Sequence, residues 1–187
     1  MAEFTYADIA KMLDHSLLQQ TLTDTELEQG CLVAREYDVA SVCIKPYAVR
    51  QAAAILAGST VAVGTTIGFP HGGHLTAIKV DEAERAMDDG ARELDMVVNV
   101  GKVLSRDWSY VAADIRAVVE AAHRGKALVK VIFENCFLAD EHKEALCRLC
   151  GEVGADFVKT STGYGSGGAS AAGRRPRPRR RRSRWRS

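Results

Sequence analysis

"EVGADFVKTSTGYG", residues 152–165, joins a helix end to a strand with almost nothing between them. Gly154 suits the left-handed residue that closes a helix. The chain then passes at once into the apolar Phe157 and Val158, and a lysine, Lys159, follows inside the run. "DDGARELDMV", residues 88–97, repeats the junction with Gly90 and places Asp95 in the strand. Short β-rich runs occupy 12–17, 39–45, 60–69, 93–101, 127–134 and 156–163, and helical patterns lie between them. One helix opens on a capping box, Thr23 with Glu26, and carries Leu27, Cys31 and Ala34 at helical spacing. Another, "PYAVRQAAAILAG", has proline in its first turn and glycine at its end. "AIKVDEAERAMDDGA" and "DWSYVAADIRAVVEAAHRG" follow, the second placed after Ser105 as N-cap. Strand alternating with helix implies a parallel sheet, its strands covered on both faces. The rhythm predicts an α/β fold of the (β/α) TIM-barrel type, with an open doubly wound sheet as the competing architecture. Six strands are countable, the first of them weak, where a closed barrel needs eight.

The 187 residues and a 47% hydrophobic fraction suit one globular domain. No run approaches the roughly 20 apolar residues of a membrane span. "MAEFTYADIAKMLDHS" lacks the pattern of a secretion signal, so the expected compartment is the cytoplasm. The formal charge of +1 conceals two unlike parts. Residues 174–186 hold nine arginines, and no acid follows Asp156. Without those nine, 16 basic residues face 24 acidic ones, a balance that argues against a nucleic-acid-binding core. The expected organisation is a barrel domain over 1–165 and a disordered Arg/Pro/Gly-rich tail over 166–187.

Three charges interrupt apolar strands: Asp95, Lys130 and Lys159. An Asp95–Lys130 ion pair, or lysines reaching out at the strand ends, accounts for any one of them alone. All three lie toward the C-terminal parts of their strands, the end where barrel active sites are built. A lysine that attacks a carbonyl must be partly neutral near pH 7, well below its ordinary value of about 10.4. Burial and a neighbouring cation push it that way, and a nearby carboxylate can relay the proton.

The motifs "LDHSLL", "GFPHG", "ELDMVVNVG", "LVKVIFE" and "VKTSTGYG", in that order over about residues 9–169, resemble the deoxyribose-phosphate aldolases. The resemblance implies a metal-free class I aldolase of the (β/α) barrel fold. Such an enzyme cleaves 2-deoxy-D-ribose 5-phosphate to acetaldehyde and D-glyceraldehyde 3-phosphate in deoxyribose phosphate catabolism. Carried onto this sequence, it makes Lys159 the Schiff-base lysine, Asp95 the proton donor and acceptor, and Lys130 the lysine that tunes Lys159. Asp14 would touch substrate hydroxyls, and Cys43 and Thr162 would line the pocket. It implies no cofactor, a small phosphosugar or aldehyde as partner, and a homodimer. The family pattern continues into a seventh strand with a second lysine and an eighth that helps hold phosphate, and neither is found after residue 169. The expectation is a barrel short of two strands, with exposed edges and weak or no turnover. The basic tail is read as a reading-frame change in a GC-rich gene. Gene sequencing checks this, and the idea fails if no other frame downstream of codon 169 encodes the two strands. The rival readings are a non-catalytic fragment whose basic tail binds nucleic acid, and another lysine-dependent barrel aldolase.

Other motifs fall short. "GYGSGG" fits G-x-G-x-x-G, but neither a helix nor an acid about 20 residues on follows it. His71 and His74 in "HGGH" have no evident third ligand and read as a flexible loop. Cys147 and Cys150 match C-x-x-C without a second pair, and read as half-buried helix thiols. "LDHS" has no G-x-S-x-G partner, so it is no hydrolase triad.

Overall fold

The computed structural model describes residues 3–169. Six strands, β1 (Asp14–Leu17), β2 (Ser41–Ile44), β3 (Ala62–Ile67), β4 (Glu93–Val97), β5 (Leu128–Ile132) and β6 (Phe157–Lys159), form one sheet in the order β1-β2-β3-β4-β5-β6. Every neighbouring pair is parallel. A doubly wound sheet reverses its strand order at a switch point. No reversal occurs here, so the doubly wound alternative is excluded and the sheet is a half-barrel.

The α-helices among the described residues are α1 (Tyr6–Ala10), α2 (Asp24–Glu36), α3 (Val49–Ile55), α4 (Thr76–Asp88), α5 (Val100–Leu104), α6 (Trp108–Arg124) and α7 (Asp140–Val153). The Thr23 capping box forms as expected, with the Thr23 N–H donating to Glu26 at 2.7 Å. Pro46 opens a 3-10 turn, Pro46–Ala48, that runs into α3. Gly154 closes α7 at φ 82°. The N-cap of α6 is Asp107 instead of Ser105: its carboxylate accepts from the Tyr110 N–H at 3.2 Å. Ser105 instead ends α5, a short helix that intervenes.

Registry sorts the strand residues into two unlike faces. Val42, Ile44, Val63, Ile67, Leu94, Met96, Val129 and Val131 share one face and join buried helix residues such as Leu27, Val49, Ala83, Ile115 and Leu146 in the core. Asp14, Ser41, Cys43, Thr66, Glu93, Asp95 and Lys130 share the other, and Lys159 follows Ile132 onto it. The expected cover on both faces is not found among the described residues: helices pack on one side, and the second side carries the charged cluster with Val97 and Ile132 beside it. Curvature is visible directly. Lys130 Nζ on β5 donates to Asp14 Oδ2 on β1 at 2.7 Å, although a flat sheet would separate those strands by about 19 Å. Beyond the strand ends, the Tyr164 hydroxyl donates to the Leu18 carbonyl at 2.6 Å, and the Tyr164 ring meets Phe69 edge-on.

The "HGGH" stretch is more constrained than a flexible loop. Gly72 has φ 69° and donates its N–H to the Gly68 carbonyl at 2.8 Å. A Cβ on it would lie 2.0 Å from the Val98 oxygen. Among the described residues His71 and His74 join no metal-holding group. No described helix is long and apolar enough to cross a membrane. The expected tail falls largely on residues 170–187, outside those described, and 166–169 form neither helix nor strand.

Candidate active site

The parallel register brings the candidate residues together without any long-range adjustment. Asp95 pairs with Lys130 across β4 and β5, and Ile132 pairs with Lys159 across β5 and β6. The three side chains therefore rise from adjacent strands on one face. Lys159 Nζ donates to Asp95 Oδ2 at 2.5 Å. Its side chain is 25% exposed, whereas Asp95 and Lys130 are sealed from solvent. The Cys43 thiol lies 3.7 Å from the same Asp95 oxygen. Asp95 Oδ1 faces Lys130 Nζ at 3.6 Å, beyond hydrogen-bond range. Asp95 thus stands between two cations and is hydrogen-bonded to one.

Lys130 is held chiefly by other acids. It donates to Glu93 at 2.5 Å and to Asp14 at 2.7 Å, and Asp14 also accepts from the Ser41 hydroxyl at 2.9 Å. Glu93 was missed in the sequence, although its place two residues before Asp95 on a strand puts both on one face. Asp14, expected to touch substrate, is bound to Lys130 and Ser41.

Electrostatics follow from this geometry. Burial alone would lower Lys130, but Asp95, Glu93 and Asp14 outweigh it and raise its pKa well above the ordinary lysine value. Burial alone would raise Asp14, but Lys130, Ser41 and Lys159 hold it below the usual carboxylate range. For Lys159, burial and Lys130 push down, while the Asp95 carboxylate pushes up and wins. In this arrangement the Asp95 carboxylate favours the ammonium form of Lys159 over the partly neutral amine that the sequence predicts. Burial, with Asp95 next as a cause, also raises the Cys43 thiol far above its ordinary value, so Cys43 lines the cluster as a neutral group.

Thr162 lies where β6 leads into the glycine-rich loop, but its hydroxyl is engaged internally. It donates to Glu134 Oε2 and accepts from the Tyr164 N–H at 3.0 Å. Glu134, the last residue of "LVKVIFE", reads in the sequence only as a strand terminus. The cysteines of "CRLC" lie on α7 as free thiols, Cys150 buried and Cys147 half-buried.

A lysine on a carboxylate, with a second lysine behind it, is an arrangement that can supply an amine nucleophile and a proton acceptor. The sequence profile of the DeoC/LacD family aldolases matches residues 9–175. The chain belongs to that family. As a DeoC/LacD aldolase, it is 56% identical over 164 residues to the deoxyribose-phosphate aldolase of Rhodopirellula baltica, which covers 88% of this chain and 68% of that protein. Among solved structures, the aldolase QR15 superposes with a TM-score of 0.84 at 34% identity, over 89% of this chain and 73% of that one. The deoxyribose phosphate aldolase of Aeropyrum pernix, described as tetrameric, superposes with a TM-score of 0.79 at 29% identity, over 86% and 67%. The DeoC/LacD chain described here thus spans about two thirds to three quarters of the length of these relatives.

Proposed function

We propose that this chain is a deoxyribose-phosphate aldolase that works through an imine on Lys159. The observation that carries the reading is the 2.5 Å pair between Lys159 Nζ and Asp95 Oδ2 on the polar face of the half-barrel. Asp95 accepts the ammonium proton, and the freed amine attacks the C1 aldehyde of open-chain 2-deoxyribose 5-phosphate. Loss of water from the carbinolamine gives the iminium. A base removes the proton from the C3 hydroxyl, the C2–C3 bond breaks, and its electrons pass to the iminium to form an enamine. D-Glyceraldehyde 3-phosphate leaves. Protonation at C2 and hydrolysis of the imine release acetaldehyde and restore Lys159. Asp95 fits the proton transfers because it is a buried carboxylate already in hydrogen-bond contact with the reacting nitrogen. Lys130, fixed by Glu93 and Asp14, is a permanent positive charge that opposes protonation of Lys159. A homodimer and a cytoplasmic location belong to the same reading, carried over from the resemblance.

Borohydride trapping tests it. Incubation with acetaldehyde and borohydride should add one ethyl group, mapped by mass spectrometry to Lys159, and K159M should abolish it. An adduct confined to other lysines, or none, would overturn the assignment. Release of glyceraldehyde 3-phosphate from deoxyribose 5-phosphate, followed with a coupled dehydrogenase, then measures turnover separately from imine formation.

A further inference from the structure

We infer that Glu134 is a positioning residue whose carboxylate, acting through Thr162, sets the course of the chain from Lys159 to Gly165. Its effect on catalysis rests on the aldolase reading, but the latch itself does not. Glu134 follows β5 and is only 3% exposed. Its backbone is left-handed at φ 55°, a conformation disfavoured for a non-glycine residue. The segment beside it extends the ladder past the strand ends: the Phe133 N–H donates to the Lys159 carbonyl at 3.0 Å, and the Asn135 N–H to the Thr160 carbonyl at 2.8 Å. Glu134 Oε2 then takes both donors of Thr162, its N–H at 3.2 Å and its hydroxyl. The same hydroxyl accepts from the Tyr164 N–H, so one carboxylate holds Thr162 directly and Tyr164 through it.

The other face of the carboxylate is shaped as closely. Oε1 receives the Cys136 thiol at 3.8 Å. Gly165 packs against both groups: a Cβ there would lie 2.7 Å from Cys136 Sγ and 3.0 Å from Glu134 Cδ. The groups hydrogen-bonded to Glu134 are neutral donors, a backbone N–H, a hydroxyl and a thiol. This distinguishes it from Asp14, Glu93 and Asp95, which all face lysines. A buried carboxylate held by neutral donors defines geometry through charge-assisted hydrogen bonds. Here the geometry is that of the segment carrying the reactive lysine. Tyr164, fixed at the far end, in turn reaches the Leu18 carbonyl after β1. Glu134 thereby links the Lys159 strand to the loop of the first strand.

The test compares E134Q, E134A, T162V and the double variant E134A/T162V in the full chain. Amide exchange at Thr162 and Tyr164 reads the latch, and acetaldehyde trapping on Lys159 reads its consequence. In E134A both amides should exchange about tenfold faster or more, and trapping should slow by about tenfold or more. T162V should slow trapping similarly, and the double variant no further than the slower single one. E134Q keeps an acceptor and should recover most of the trapping rate. Unchanged exchange in a folded E134A, or additive losses in the double variant, would overturn the inference. Should E134A fail to fold, T162V decides: parental trapping and Tyr164 exchange sink the proposal, and joint loss supports it. A parent chain that forms no adduct refutes the aldolase reading, and amide exchange still decides the latch.

Discussion

Lys159 and Asp95 form a 2.5 Å ion pair in which only the lysine reaches solvent. Its proton balance is set by opposing neighbours, because Asp95 raises Lys159 while burial and Lys130 lower it. At neutral pH the ammonium dominates, so imine formation in the parent chain should quicken as pH rises toward 10. D95N removes the group that raises Lys159 and leaves those that lower it. The alkaline limb of the trapping rate should therefore move to lower pH, while the plateau rate falls by about 100-fold for want of the proton acceptor. A pH series of borohydride trapping reads both effects. A limb that stays in place would show that Asp95 does not govern this amine.

Lys130 neutralises a cluster of three acids. K130M should leave Asp14, Glu93 and Asp95 with that central cation removed and cost about 3–5 kcal/mol at pH 7.5. Asp14 is depressed in the folded protein, so its contribution is present above the ordinary carboxylate pKa of about 3.9 and is lost as pH falls through the folded value. Lys130 is raised, so its contribution persists below its ordinary pKa and disappears only as strongly alkaline pH passes the folded value. The deficit of K130M should thus shrink between pH 7.5 and about 4, because its carboxylates can take up protons. Urea unfolding at the two pH values measures it, and an equal deficit at both would contradict the charge argument.

A second buried pair holds the outer layer. Lys79 on α4 donates to Asp114 on α6 at 2.6 Å, with both side chains 1% exposed or less. Lys79 also donates to the Val97 carbonyl at the end of β4, and Thr76 donates to Asp114. K79M should cost about 3–5 kcal/mol by leaving a buried acid without its cation. K79M/D114L should regain at least half of that loss in thermal or urea unfolding. If the double variant is no better than K79M, the pair holds the helices by more than mutual compensation.

The five thiols should separate sharply in reactivity. Cys136 is exposed beside the glycine-rich loop. Burial lifts Cys31 to about 11, with Glu28 adding to it, and lifts Cys150 to about 12, with Cys147 adding to it. Timed iodoacetamide labelling with peptide mapping should modify Cys136 first and leave Cys31, Cys43 and Cys150 largely unlabelled in the folded chain. Early labelling of Cys43 would mean that the interior is more open than described.

How far the sequence disclosed this arrangement depends on the range of each signal. The strands were legible because apolar residues are punctuated by turn chemistry, and the placing of Asp95, Lys130 and Lys159 on one face follows from strand pairing alone. The two short helices α1 and α5 were missed because five residues are too few to show a 3.6-residue period. Ser105 and Asp107 are both good caps two residues apart, and only the geometry of α6 separates them. Lys79 sits in "AIKVDEAERA", where it reads as one more charge on a solvated helix face. Its burial depends on a partner 35 residues away. Glu93 and Glu134 stand at the two ends of strands, where a polar residue is unremarkable. What they do is decided by Lys130 and Thr162, each supplied by a different segment.

Lys159, the proposed nucleophile, sits on the shortest strand of the sheet. β6 has three residues and, among the described residues, pairs with β5 alone. Such an edge can open locally at a free-energy cost below that of global unfolding. Chemistry and architecture would then have separate thermal limits. On heating, imine formation would fade while the circular dichroism of the helices still reports an intact protein, and cooling would restore it without refolding.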